Sequence, residues 1–264
     1  MTSLPSTLRQ ARKARRWSQM ELSLRMGVSQ RHVSFVESGR AKPSRDLLIS
    51  WLQELAAPLV VRNAAMLQAG YAPAYSAAPL DDPALAQANQ ALLHLIQAHD
   101  PMPAYVVDAE WNLLHANKGG KWLAGVLMPW ASELPAGSPV NILDMLIHPE
   151  GFAHCMVNLH EVGPAMLAHL RDDAALHPVL TPKVDAFAGL LAARLGARNM
   201  HCGSPRSAAP VLTTRFATAH GELAFFSMFT TFGTPQDITL ASLRVEHMFP
   251  ACEVTRAVIR AQVP

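Results

Sequence analysis

Between residues 1 and 70 apolar positions recur every three or four residues, the period of helices that bury one face. Five helices are predicted, over 4–16, 18–26, 29–37, 44–55 and 58–69. Leu22, Leu24 and Met26 give the second its apolar surface, Val33 and Val36 the third, and Leu47, Leu48, Trp51, Leu52 and Leu55 the fourth. Polar residues mark the ends. Ser18 and Glu21 form an S-x-x-E capping box, Ser29 and Ser44 are N-caps, and Gly27 can take the positive φ that stops a helix. Pro58 opens the fifth helix and Gly70 ends it. From 71 to 82 the periodicity stops, and this Pro/Ala-rich stretch reads as a linker.

Beyond it, a helix over 83–99 starts with Asp82 as N-cap and Pro83 at the first position. The period then drops to two: Ala104–Val107 and Trp111–His115 read as a hairpin turning at 108–110. Helices follow over 117–127, 139–147, 150–172 and 180–196, and the polar stretch 197–209 reads as a loop. Strands over 210–219, 222–232 and 238–248 are joined by His220-Gly221 and by Gly233–Gln236, and a helix over 253–262 ends the chain. The expected architecture is an all-α unit at 1–70, a linker at 71–82, and an α+β unit at 83–264 with a five-stranded antiparallel sheet.

Charge separates the two parts. Residues 1–70 hold eleven Lys and Arg against four Asp and Glu, a net +7, while the whole chain is +2, leaving −5 on the remainder. That split is expected when one part meets phosphate. Two short helices joined by a Gly-containing turn make a DNA-binding arrangement, with the helix beginning near Ser29 as the reader. Gln30, Arg31, His32, Ser34 and Phe35 are left for outward or flanking positions. Arg31 can bond bidentately to guanine and Gln30 to adenine. Phe35 could touch a thymine methyl or pack against its own domain. Arg40 and Lys42 follow the reader and suit phosphate contacts.

Half the residues are hydrophobic and 16% are charged, which excludes a disordered chain. No apolar run reaches the ~18 residues of a membrane span, and the polar, basic N-terminus has no signal-peptide pattern. Three widely spaced cysteines, Cys155, Cys202 and Cys252, form no C-x-x-C and fit a reducing cytoplasm. Catalysis is not expected: G-x-S-x-G, P-loop, H-E-x-x-H and dinucleotide patterns are all missing. His154, Cys155 and His160 share a predicted helix, but six residues separate the histidines, so no metal site and no cofactor is expected.

Residues 5–70 resemble the Cro/repressor, or XRE, helix-turn-helix family. The resemblance makes Gln19 the residue that opens the second helix and touches phosphate, and Gln30, Arg31 and Phe35 the base readers. It pairs Arg12 with Glu37 in a structural ion bridge. Phe35 departs from the polar reader common in that family. Pro103-Ala-Tyr-Val-Val-Asp108, Asn117, His148-Pro149, Gly221-Glu-Leu-Ala-Phe-Phe226, Thr231–Leu240 and Phe249-Pro250 are similar to the PAS-like ligand-binding domain of MmyB-like regulators. That resemblance implies a pocket for a fatty acid or similar small lipid.

Such a pocket needs an apolar lining and a few polar groups at one end. The strand Leu223–Phe232 is apolar on both faces, with Phe225 and Phe229 on one and Phe226, Met228 and Phe232 on the other. Trp111, Met145, Met156 and Met166 could complete the lining or serve as ordinary core. Arg215 could clamp a carboxylate or lie on the exposed sheet face. His115, Asn117 and His148 are further polar candidates. The whole reads as a cytoplasmic transcription regulator that pairs into a homodimer on a two-fold operator, with a small apolar effector. Two rivals are a metal or redox sensor built on His and Cys, and a protein-interaction module whose cavity is filled by its own side chains.

Overall fold

The computed structural model describes residues 3–135, 137–196 and 211–263; the loop expected at 197–209, with His201 and Cys202, lies outside the described residues. The chain divides into two compact units, one of residues 1–79 with 234–241, the other of 80–233 with 242–264.

The first unit holds α1 (Leu4–Ala14), α2 (Gln19–Met26), α3 (Gln30–Glu37), α4 (Arg45–Glu54) and α5 (Leu59–Gln68). Leu8, Leu22, Val33, Leu48, Trp51 and Met66 are fully buried at its centre. Leu24 does not join them: it is 75% exposed, because α2 buries only the stripe around Leu22 and Ser23. Ser18, Ser29 and Ser44 each accept a backbone N–H three residues on, at 3.0, 3.1 and 3.3 Å. The capping box is one-sided, since the Glu21 carboxylate lies 3.7 Å from Arg25. Gly27 takes φ 66° and ends α2.

Residues 71–79 are hydrogen-bonded into this unit. Asn63 accepts the N–H groups of Ala74 and Tyr75 and donates to the Tyr75 carbonyl. Ser76 bridges Asp237 in parallel, and Ile238 N–H donates to the Ser76 carbonyl at 2.8 Å. A strand was expected to start at 238. Instead Asp237 caps a helical turn, α12 (Ile238–Ser242), by accepting from Thr239 and Leu240 N–H.

The second unit is an antiparallel sheet in the order β2-β1-β5-β4-β3: β1 (Ala104–Val107), β2 (Leu113–Ala116), β3 (Thr214–Thr218), β4 (Gly221–Thr230) and β5 (Arg244–Pro250). The helices are α6 (Ala86–Ala98), α7 (Lys118–Leu127), α8 (Ile142–Ile147), α9 (Phe152–Cys155), α10 (Leu159–Leu176), α11 (Thr181–Leu195) and α13 (Glu253–Gln262). The single helix expected over 150–172 is broken at 156–158. Met156 bridges Phe216 there, and Val157 N–H donates to the Arg215 carbonyl, which pairs the outer edge of β3. Buried Asn158 holds the break, accepting from Arg215 N–H at 2.9 Å and donating to the Thr213 carbonyl at 2.9 Å.

Register sorts the sheet residues between two faces. Tyr105, Glu246 and Phe229 lie opposite one another across β1, β5 and β4; Val106, Val245 and Thr230 form the next row, pointing the other way. Val107, Phe216, Leu223, Phe225 and Met248, on the first face, join Leu123, Leu167 and Phe187 of α7, α10 and α11 in one hydrophobic core. α7, α10 and α11 therefore cover the face that carries Tyr105, Glu246 and Phe229, while α6 lies on the other face, where Leu92 and Leu95 neighbour Thr230 and Val245.

Candidate functional site

In the first unit the site is built on α3. Its inner side is Val33, Val36 and Glu37, all buried, so Gln30 and Arg31 stand in solvent and His32, Ser34 and Phe35 are half-buried. The Phe35 ring has two guanidinium neighbours, the Cζ of Arg31 at 5.1 Å from its centroid and that of Arg40 at 5.8 Å. Its carbonyl accepts from the N–H of Arg40 at 2.8 Å, from that of Ala41 at 3.2 Å and from Ser38 Oγ at 3.2 Å. One residue thus fixes the chain from α3 into the following loop, and its ring links the two arginines. Lys42, in the same loop, is exposed, with its Nζ 4.8 Å from the Tyr71 ring centroid.

Below α3, Arg12 and Glu37 form a buried two-pronged pair, Nε to Oε1 at 2.7 Å and the second nitrogen to Oε2 at 2.8 Å. Gln19 opens α2, and its Nε2 donates to Glu37 Oε2 at 2.9 Å. Burial pushes the Glu37 carboxyl up, but the hydrogen bonds of Arg12 and Gln19 and the charges of Arg12 and Arg9 outweigh it, leaving it below the usual carboxylate range. The pair ties α1 to the end of α3.

In the second unit the residues expected at a ligand site are dispersed. Phe225 is fully buried against Phe216, and Trp111 and Phe229 meet at 6.2 Å on the helix-covered face. Phe226 lies on the other face, stacked on Phe249 at 5.3 Å. Arg215 is also there, its guanidinium 3.3 Å from Glu222 and 3.8 Å from Glu161. Asn117 is spent as a brace: it accepts from Ala104 and Gly120 N–H and donates to the Ile96 and Met102 carbonyls. His115 bonds Asn89 at 2.9 Å and borders, with Asn117 and Lys121, an open groove of about 420 Å³ between α6, β2 and α7; burial lowers its pKa. His148 stacks on Trp130 at 4.0 Å.

Around Trp111 the structure gathers groups that sequence patterns did not single out. Asp173 of α10 accepts from the Trp111 indole at 2.9 Å and from Arg244 at 2.8 Å. The Arg244 guanidinium also lies over the Trp111 ring at 4.5 Å, and His169 stands 6.2 Å from that ring. Trp111 has φ 64°, an uncommon conformation for a bulky residue that costs ~1–3 kcal/mol. The neighbouring bonds hold it there: its N–H donates to Asp108 and its carbonyl accepts from Ile142. Next along the face, Glu246 accepts from Ser227 Oγ at 2.7 Å, and burial raises its carboxyl pKa despite that bond and the charge of Arg244. Ser227 is exposed and Phe229 is 42% exposed, although both lie on the face the helices cover. Arg244, Glu246 and Met248 alternate with Val245, His247 and Phe249, and alternate charge in a strand normally marks a solvent side, which hid these residues. Among the described residues no group of three His, Cys, Asp or Glu stands close enough to hold a metal ion.

A basic helix-turn-helix unit and a separate α+β unit with a polar-aromatic face define a DNA-binding transcription regulator with a ligand-binding domain. Residues 8–60 match the helix-turn-helix family model, and residues 88–261 match that of the MmyB-like transcription regulator ligand binding domain. The second match spans well over half of the chain, which belongs to the MmyB-like transcription regulators. No curated protein matches it. Among the described residues no helix is long and apolar enough to cross a membrane.

Proposed function

We propose that the chain is a cytoplasmic, homodimeric regulator that reads an operator with α3 and whose DNA affinity is set by a fatty acid or similar small lipid in the second unit. The observation that carries the DNA reading is the exposed pair Gln30 and Arg31 at the start of a helix whose inner side is fully packed. Arg31 and Gln30 read base edges, with His32 and Ser34 beside them. Ser29, Arg40, Lys42 and Gln19 meet phosphates, and Phe35 supports the arginines. A single reading helix covers few base pairs, which favours two copies on a two-fold site. The ligand reading is supported by the accessible surface that Phe229 and Ser227 keep on the core side of the sheet. An effector acts only through a difference in its affinity for two states, so the lipid must favour one arrangement of the regulator.

The test is mass spectrometry of the purified protein, native and then after solvent extraction, followed by operator selection with and without the extracted compound. A stoichiometric fatty acid that changes DNA affinity supports the proposal. A selected operator with no dependence on any extracted compound rejects the effector half and leaves the DNA half standing.

A further inference from the structure

The outer face of the sheet, opposite α7, α10 and α11, is only partly covered, with α6 lying along one side of it. From Pro83 to His99 the chain carries no Asp, Glu, Lys or Arg, although 16% of all residues are charged. Gln87, Gln90, Ala91, His94, Leu95 and Ala98 of α6 are nevertheless exposed, Leu95 by 43%. Helix sides that face water normally carry charge. The strands beside α6 continue in the same character. Thr230, Phe232, Leu243 and Val245 border an open groove of about 280 Å³ with Ala91, Leu92 and Leu95. Next on that face come Met228, opposite His247 and 54% exposed, and the stacked, half-buried rings of Phe226 and Phe249. Charge returns at the far edge, where Arg215 is paired with Glu222 and Glu161. Other exposed apolar residues are placed differently: Leu24 and Val254 stand beside the charges of Arg25 and Glu253.

We propose that this surface, the exposed side of α6 with Phe226, Met228 and Thr230 of β4, is where two copies of the chain pair about a two-fold axis. The inference rests on the two-copy reading above and gives it a place. Across such an axis every side chain near the centre approaches its own equivalent, so any charge there meets a like charge. A surface that docks on itself must therefore keep charge away from its centre and can carry it at the rim, as Arg215, Glu222 and Glu161 do here. A partner of opposite charge would need the contrary, a patch of one sign, and residues 71–264 hold their charges outside this surface. A charge-poor, apolar centre with a polar rim is the composition of a protein interface, and a contiguous apolar patch left bare marks an interaction site. The groove beside Leu95 receives an apolar side chain of the second copy, which takes Leu95 and Met228 out of water in both copies at once.

The experiment is sedimentation velocity of the full chain over a range of concentrations, for wild type, L95E, M228E and L176E. Leu176, also exposed but on α10, is the control. Wild type should be a dimer. L95E and M228E should each raise the dissociation constant at least about tenfold, because each sets like charges against one another across the axis. L176E should stay within about twofold of wild type. A dimer unchanged by L95E and M228E overturns this surface and leaves the two-copy reading intact; so does loss of the dimer in L176E. A wild type that is monomeric with and without its selected operator overturns the two-copy reading itself. Flotation with phosphatidylcholine vesicles tests the other apolar occupant: wild type carried up with the vesicles and L95E left behind would give this face to a lipid surface and overturn the pairing. Should L95E or M228E not fold, amide exchange of the wild type decides. Exchange within 86–98 and 226–230 should slow as the chain is concentrated from monomer to dimer, and unchanged exchange there overturns the proposal.

Discussion

Two carboxyls show how surroundings decide what a single residue contributes. Glu37 is held below the usual range by Arg12 and Gln19, so its stabilisation is present at neutral pH and is lost as pH falls through its folded pKa. E37Q should cost about 3 kcal/mol at neutral pH, because it leaves Arg12 a buried unpaired cation. Urea unfolding at several pH values checks this, and the gap between E37Q and wild type should close in acid. Glu246 has the opposite sign. Its raised pKa means the folded state prefers the proton, so its contribution is full below the unfolded value and is lost as pH rises through the folded one. E246Q should unfold at a higher temperature than wild type at neutral pH, with the difference shrinking toward acid. Glu37 was legible from the resemblance that pairs it with Arg12. Glu246 was not, because one strand's alternation does not say which face the helices will cover.

At the scale of elements, α3 and its following loop act as one reading surface. Arg31→Ala should cost ~1–3 kcal/mol at the operator and relax base preference at one position, whereas Arg40→Ala should weaken all sequences alike and lower the salt slope by about one. Phe35→Ala should combine both defects, since the ring neighbours both guanidiniums, and Phe35→Tyr should retain binding. Fluorescence anisotropy against matched and mismatched duplexes over a salt series separates these outcomes. The helix ends of this unit were readable to within a few residues, because serine caps and a positive-φ glycine are local signals. The break at 156–158 was not, since its cause is a partner 57 residues away: Asn158 braces Arg215 and Thr213. Asn158→Ala should cost about 2 kcal/mol in a denaturant titration, by leaving a buried N–H and carbonyl unpaired. The same limit applies at 238–248, where apolar Ile238 and Leu240 suggest a strand, yet Asp237 caps a helical turn.

For the molecule as a whole, composition and the charge split foretold two parts with different partners, and the chain forms a helical unit and an α+β unit with a five-stranded sheet. How the chain is shared between them was not readable, because it depends on where a late loop comes to rest. Residues 234–241 leave from β4 and return to β5, yet their bonds are to Ser76 and Ala78. Asp237→Ala should speed amide exchange at Ala78, Thr239 and Leu240, whose N–H groups it accepts, and leave β1 and β2 unchanged.

That loop also bears on heredity and engineering. The N-terminal unit is not one contiguous stretch of gene. A recombination or truncation after Pro79 would carry away five helices but leave behind the eight residues 234–241 that complete the unit. Swapping this reader onto another sensor would then succeed only where the recipient supplies an equivalent loop, so the two halves would be inherited together more readily than exchanged.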